Sequence, residues 1–225
     1  VVVATGSLPL VPPLERRQEG APEVLTAKEA LRGERPLGRR LVVLGGGFVG
    51  CELAVWFTQQ GHEVGLVEVR EGLMTTGDVP HPNRIMLLDL LTFHRVGVWT
   101  GARLSLLAPE GATIQSADGE RLLPCDTLVL ATGYRSDRGI WQEVSGAFPE
   151  AYLVGDALRP ANVQHAVWTA YEAAPRTDGR DVLDQPLGPL ASGEAAKPGA
   201  QPSATFAATG ARVLFALPNG LSAFG

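Results

Sequence analysis

The stretch that decides the fold runs from Leu41 to Glu68, LVVLGGGFVGCELAVWFTQQGHEVGLVE. Leu41-Val42-Val43-Leu44 is an apolar run of the kind covered on both faces in a parallel sheet. It passes directly into Gly45-Gly46-Gly47-Phe48-Val49-Gly50, after which Cys51 to Gln60 supplies helix formers closed by Gly61 as a C-terminal cap. His62 to Glu68 reads as a second strand, and it ends on an acid. Strand, glycine turn, helix and strand in this order make the βαβ unit of a doubly wound sheet.

The glycine spacing has a physical meaning in that context. Gly45 permits the tight turn, Gly47 lets the backbone approach a pyrophosphate, and Gly50 lets helix and sheet pack closely. Gly46, Phe48 and Val49 complete the turn, and the helix that follows offers free N–H groups and a positive dipole end to phosphates. Glu68 selects the cofactor: its carboxylate accepts hydrogen bonds from the ribose hydroxyls of NAD and repels the 2′-phosphate of NADP. Arg70, two residues on, complicates that choice, because a guanidinium binds such a phosphate. The plainer reading of Arg70 is a solvated surface cation.

Outward from this unit the signals are shorter. Residues 1–6, VVVATG, read as a buried strand running into a glycine turn, and Ser7 to Pro13 is too proline-rich to continue a sheet. Glu15 to Arg40 reads as a connector with one short helix over Thr26 to Leu31, and a domain boundary is expected near residue 37. Downstream, Pro82 opens a helix through Phe93 whose apolar side is Ile85, Met86, Leu88, Leu90, Leu91 and Phe93. Arg103 to Leu107, Ala112 to Ser116 and Arg121 to Leu123, separated by turn formers, predict a small β-meander. Asp126 to Leu130 returns as a core strand into Ala131-Thr132-Gly133, so that LVLATG repeats the opening VVVATG. Ala151 to Val154 leads into Gly155-Asp156, and a helix from Val163 to Ala174 follows with Asn162 as its N-cap. The N-terminus of that helix, at Val163, is placed to stabilise negative charge. Residues 176–210 have the composition of a disordered tail, and Val213 to Leu217 has the pattern of one further strand.

Composition narrows the function classes. With 19 Lys+Arg against 24 Asp+Glu the chain is acidic, which argues against a binder of the phosphate backbone of DNA or RNA. The longest apolar stretch, Leu41 to Phe57, contains Glu52 and four glycines, so no membrane anchor is expected. Two cysteines, Cys51 and Cys125, lie far apart with no CxxC, which leaves neither a local redox dithiol nor a zinc knuckle and fits a reducing cytoplasm. No metal-ligand set and no catalytic side chain emerges. Of the four histidines only His165 falls close to a candidate site.

At this point the chain resembles the FAD- and NAD(P)-binding half of the two-dinucleotide-binding-domain flavoproteins, the pyridine nucleotide-disulfide oxidoreductase superfamily. Its wording is most similar to the C-terminal part of NADH:flavin oxidoreductases related to 2,4-dienoyl-CoA reductase and trimethylamine dehydrogenase. The matching stretches are VVVATGSLPLVP, LTAKEALRG, the Leu41–Glu68 segment, DTLVLATGY and AYLVGDALRPANVQHAV, which together span roughly residues 1–175. The resemblance implies an α/β fold in which a Rossmann-like NAD-binding domain, βαβ plus β-meander, is inserted into a partial FAD-binding domain. The expected division is 1–15 for the end of the first FAD segment, 16–36 for a connector and 37–143 for the NAD domain. Residues 144–176 then form the C-terminal FAD segment, and 177–225 the tail.

The same resemblance implies FAD and NAD as cofactors. It places Ala4, Thr5 and Gly6 at the end of the first FAD segment, Gly155 and Asp156 at the FAD ribityl chain, and Val163 beside the flavin. Ala131, Thr132 and Gly133 join the cofactor contacts, and Glu52 lies near nicotinamide and flavin. The implied activity takes hydride from NADH to flavin and on to a small-molecule acceptor. The implied partners are a missing N-terminal FAD segment and a fused FMN barrel. The chain departs from the family in lacking an upstream FAD fingerprint, iron-sulfur cysteines and a redox-active cysteine pair. It is therefore expected to be a fragment, and a non-catalytic NAD-binding piece unable to hold FAD alone is the competing reading.

Overall fold

A computed structural model describes residues 1–14, 16–76, 79–177, 213–217 and 220–224. The strands and helices in chain order begin with β1 (Val2–Val3), β2 (Ser7–Pro9), β3 (Glu23–Thr26), α1 (Ala27–Arg32), β4 (Arg40–Leu44), α2 (Phe48–Gln59) and β5 (Glu63–Val67). They continue with α3 (His81–Phe93), β6 (Gly97–Trp99), β7 (Arg103–Ala108), β8 (Gly111–Ser116), β9 (Gly119–Leu123), β10 (Thr127–Leu130) and β11 (Tyr134–Ser136). Last come α4 (Trp141–Ala147), β12 (Tyr152–Leu153), a 3-10 turn at Gly155–Ala157, α5 (Val163–Thr177), β13 (Val213–Leu217) and β14 (Gly220–Phe224). Two compact units result, Leu8–Arg135 and a second one that joins Val1–Ser7 to the described residues from Ser136 onward.

The larger unit is built on a parallel five-stranded sheet in the order β3-β10-β4-β5-β6. Its two central strands, β4 and β10, pair from Leu41↔Thr127 to Leu44↔Leu130, and their apolar residues have no exposed face. The period of two divides them: Leu41 and Val43 join Phe57, Cys51, Leu53 and Leu91 on the helical side, whereas Val42 and Leu44 join Leu107, Ile114 and Leu123 on the other. That second face is covered by the antiparallel sheet β7-β8-β9, the expected meander. The unit closes on itself where its chain enters and leaves. The Leu10 amide donates to the Gly133 carbonyl at 2.9 Å, and the Thr132 hydroxyl donates to the Leu10 carbonyl at 2.7 Å.

Three local expectations change. Residues 16–36, expected as a connector with one short helix, contain that helix as α1 and supply in addition the edge strand β3. Thr26 caps α1 in a reciprocal box: the Thr26 amide donates to the Glu29 carboxylate at 2.7 Å, and the Glu29 amide donates to the Thr26 hydroxyl at 3.3 Å. Ser7–Pro9, expected to lie outside any sheet, is a short strand, which proline tolerates where its missing N–H has no ladder partner to serve. Helix α3 buries Leu87 and Leu91 and leaves Ile85, Met86 and Phe93 exposed. Apolar residues surround that helix, so their count could not say which side faces the core.

In the smaller unit β1 and β12 pair in parallel, Val2↔Tyr152 and Val3↔Leu153. The expected tail over 176–210 lies outside the described residues except for its start at the end of α5. The strand expected at Val213 to Leu217 is β13, and it pairs antiparallel with β14.

Candidate functional site: the glycine turn of α2

The glycine turn is packed too closely for any side chain at two of its positions. A Cβ at Gly45 would lie 2.3 Å from the Ala131 carbonyl oxygen, and one at Gly50 would lie 1.8 Å from the carbonyl oxygen of Gly45. Gly45 also has φ +108°, a conformation closed to most side chains. At Gly47 a Cβ would meet nothing within 4 Å. Gly47 borders a cavity of about 460 Å³ lined also by Gly45, Glu68, Arg70, Ala131, Thr132 and Gly133. The glycine roles read from the spacing are therefore distinct in the structure: two glycines are closed by their neighbours and one, open to a side chain, borders the cavity.

Helix α2 begins at this cavity with its positive end uncompensated. Gly47 is its N-cap, no side chain caps it, and no acid stands in its first turn. The Cys51 amide makes the first helical bond, to the Gly47 carbonyl at 3.0 Å. The N–H groups of the first turn thus remain available to an anion, and the helix dipole adds attraction.

Glu68 fixes the opposite wall. One carboxylate oxygen accepts from the Gly46 amide at 2.6 Å and the other from the Arg70 amide at 2.8 Å. Its own amide donates to the Trp99 carbonyl at 2.8 Å, and its carbonyl accepts from Ala102 at 3.0 Å. The acid thereby ties the glycine turn to the end of β5 and to the start of the meander, and it is 9% exposed. Each oxygen keeps a further lone pair for a hydroxyl donor in the cavity. Arg70 is more than a free surface cation: its Nη1 donates to the Thr76 hydroxyl at 2.6 Å, and both residues line the cavity. Met74 takes φ +52°, and its amide donates to the Gly46 carbonyl at 2.7 Å, which closes the turn from below.

Phe48 and Val49 line a second, smaller cavity of about 160 Å³ together with Pro9, Ala131, Gly133 and Tyr134. Glu52 lines neither cavity; it is exposed on α2, and partial desolvation holds its carboxyl above the ordinary range. Cys51 and Cys125 are buried, and burial pushes the two thiols up to about 12 and about 11. The walls also include Pro12, Pro13, Leu14, Ala102 and Arg103, which sequence reasoning missed. They come from a proline stretch and a meander start that carry no local binding signal.

The remaining candidates gather in the smaller unit. The Thr5 hydroxyl donates to the Asp137 carbonyl, and the Gly6 carbonyl accepts from the Asp137 amide at 3.0 Å, while Ala4 is exposed. Asp156 accepts from the Ser7 hydroxyl at 3.0 Å and from the Ala161 amide at 3.2 Å. Gly155 has φ +61° and donates to the Thr169 hydroxyl at 2.8 Å. Arg138 braces the 3-10 turn by donating to the carbonyls of Ala157 and Leu158. Asn162 caps α5 as expected, accepting from the His165 amide at 2.8 Å, and Val163 is exposed at that helix start. His165 keeps a buried Nδ1 without a partner, the kind of orphaned group that a bound molecule satisfies.

These residues fit a dinucleotide at the α2 turn. In the smaller unit they offer polar groups to a flavin-bearing one. Among the described residues there, however, the glycine turn at Gly155 enters a 3-10 turn and not an α-helix. The described residues contain no group of three or more His, Cys, Asp or Glu that could hold a metal ion, and no described helix is long and apolar enough to cross a membrane.

Comparison with known proteins agrees with this geometry. Residues 1–170 match the family described as pyridine nucleotide-disulphide oxidoreductase. The chain is similar to a cinnamate reductase of Clostridium sporogenes, with 36% identity over 175 residues that cover 77% of this chain and 26% of that protein. It is also similar to a bilirubin reductase of Mediterraneibacter gnavus, with 31% identity over 175 residues covering 77% and 27%. Among solved structures, a 2-naphthoyl-CoA reductase superposes with a TM-score of 0.68 at 24% identity, covering 76% of this chain and 26% of that one. A ferredoxin reductase from Rhodopseudomonas palustris superposes with a TM-score of 0.59 at 24% identity, covering 78% and 50%. The chain thus spans about a quarter of the length of these curated relatives. It belongs to the pyridine nucleotide-disulphide oxidoreductase family, and that membership implies FAD and NAD(H) as its cofactors.

Proposed function

We propose that the chain is the NAD-binding domain and C-terminal FAD-domain segment of an FAD-dependent oxidoreductase that uses NADH. The observation that carries this reading is the α2 turn, where Gly47 borders a cavity walled by Glu68 and by an uncapped helix end. The chemistry that the bound cofactors supply is hydride transfer from nicotinamide to flavin.

The chain's own residues bind and orient. The α2 amides take the pyrophosphate, and the Glu68 carboxylate takes the adenosine ribose hydroxyls. Phe48 and Val49, at the smaller cavity, border the path toward the nicotinamide end. In the smaller unit Asp156 takes the ribityl chain, and the start of α5, with Val163 and the unpaired His165 Nδ1, faces negative charge on the flavin. Ala4, Thr5 and Gly6 shape the end of the preceding FAD segment. No side chain is assigned a proton transfer.

The acceptor class rests on the relatives' names. Cinnamate carries a carbon–carbon double bond conjugated to a carboxyl group, which suggests an enoyl- or dienoyl-type acceptor, reached directly or through a fused FMN centre, with a quinone as the alternative. Calorimetric titration of the chain with NADH and with FAD tests the reading. Binding of both supports it, and failure to bind NADH refutes it. Binding of NADH alone supports a second reading, a dinucleotide-binding piece that does not hold FAD by itself.

A further inference from the structure

The loop that follows Glu68 lies against the glycine turn. A Cβ at Gly46 would stand 2.4 Å from Leu73 Cδ2 and 2.7 Å from Glu68 Cβ, so this glycine is enclosed by the acid and by the loop. The loop is tied at its base: Arg70 donates to the Thr76 hydroxyl at 2.6 Å, and the Gly101 amide donates to the Arg70 carbonyl at 2.8 Å. Its apolar residues, Leu73 and Met74, are 7% and 4% exposed and belong to the core on the helical side of the sheet.

Met74 carries the unusual backbone of this loop. Its φ of +52° lies in the left-handed region, which a residue other than glycine enters at a cost and which persists where the surroundings over-determine it. Two contacts hold it there, the buried side chain and the amide, which donates to the Gly46 carbonyl at 2.7 Å. The consequence reaches the next residue. The Gly46 carbonyl and the Gly47 amide are two ends of one planar trans peptide, in which C=O and N–H point to opposite sides. With the carbonyl held by Met74, and more weakly by the Cys51 thiol at 3.6 Å, the Gly47 N–H is turned away from the loop. No described group accepts from that N–H, and Gly47 borders both cavities at the start of α2.

We propose that Met74 is a positioning residue for the dinucleotide: its left-handed backbone holds the Gly46 carbonyl and thereby directs the Gly47 N–H to a phosphate oxygen. Met74 itself touches no cofactor and acts through Gly46. This role rests on the function proposed above, since it concerns the same turn.

Three variants separate orientation from packing. Met74→Leu keeps both the buried volume and the left-handed backbone. Met74→Gly keeps the backbone at no steric cost and removes the side chain. Met74→Val keeps an apolar side chain, but a β-branched residue is strongly disfavoured at this φ, so the amide leaves Gly46. NADH affinity is read by fluorescence titration of the full chain well below the unfolding midpoint, and the midpoint by thermal circular dichroism. Met74→Leu is expected to match wild type in both. Met74→Gly is expected to melt roughly 5–10 °C lower while its affinity stays within about threefold of wild type. Met74→Val is expected to lose about tenfold in affinity although it melts no lower than the glycine variant. A residue that only packs would instead lose affinity in the order of the midpoints. Amide hydrogen exchange of wild type adds a check independent of how the variants fold: the Met74 amide is expected to be protected in the free chain, and the Gly47 amide to gain protection when NADH binds. The proposal falls if Met74→Val binds as wild type does, if Met74→Gly loses as much affinity as Met74→Val, or if the Met74 amide exchanges unprotected. A wild type that binds no NADH overturns the function proposed above and this role with it; a wild type that binds NADH while the variants do not separate overturns this role alone.

Discussion

Replacing Gly50 by alanine sets the closest Cβ approach among the described glycines against a control three residues away. The new Cβ would stand 1.8 Å from the Gly45 carbonyl oxygen and 3.0 Å from its carbon. Both neighbours are backbone, and ordinary contact needs about 3.4 Å, so α2 and the turn must separate by roughly 1.5 Å. That movement loosens Cys51, Leu53, Ala54 and Phe57, which pack on the sheet. Inserting a methyl group into a packed interior costs ~1–3 kcal/mol, and a backbone neighbour that cannot rotate away puts this case at about 3 kcal/mol. For a domain of this size the unfolding midpoint should fall by roughly 10–15 °C. Gly47→Ala should behave in the opposite way. Gly47 has φ −71° and open space in front of it, so the midpoint should fall only by the ~0.5–1 kcal/mol that alanine costs at an N-cap, about 2–4 °C, while NADH affinity drops about tenfold, because the methyl group occupies the approach to the α2 amides. Thermal circular dichroism and NADH titration of both variants provide the measurement. The division of roles among the glycines is refuted if Gly50→Ala melts with wild type, or if Gly47→Ala binds NADH as tightly as wild type.

Other perturbations reach different parts of the structure. Glu68→Ala removes an acceptor from the Gly46 and Arg70 amides and should destabilise by about 2–4 kcal/mol while weakening NADH binding; equal thermal midpoints would contradict the role of the acid as a tie. Thr26→Ala opens the capping box of α1 at a cost of ~1 kcal/mol, read as a shift in the urea midpoint without a change in slope. The Arg40 guanidinium beside Asp126 holds that carboxyl below its ordinary range, so its contribution is complete above the unfolded value near ~4 and is lost as pH falls through the lower folded value. Asp126→Asn should therefore flatten the acid limb of a stability-against-pH curve, and an unchanged limb would count against the pair. With both thiols raised by burial, Cys51 and Cys125 should not react with a disulfide reagent at pH 8 until denaturant is added; fast labelling of the native chain would contradict their burial.

The parts of the fold legible in the sequence are those where one short pattern carries a whole structural requirement. The run Leu41 to Leu44 is apolar at every position because both faces of β4 are covered, and the turn after it needs glycine for reasons of contact distance. Asn162 could be read as a cap because its role is played within three residues. The edge strand β3 was hidden because only Leu25 in it is deeply buried, while its ends, Glu23 and Thr26, serve an ion pair and a helix cap. The cavity walls were hidden for another reason: Pro12, Thr76 and Arg103 stand far apart in the chain and meet only through the sheet and its meander. Glu68 was legible as an acid at the end of a strand. Its tie to the Gly46 amide was not, because that contact depends on how the turn bends back over β5.

The paired backbone at Leu10 and Gly133, where the larger unit begins and ends, makes it a cassette with a single doorway. Two cuts, one on either side of that doorway, would release the unit with its ends already adjacent, so rejoining them adds little loop-closure entropy. The unit can then be exchanged between hosts by two crossovers, and, on the function proposed above, a host that accepts such a graft would change its hydride donor and keep its own flavin-binding frame.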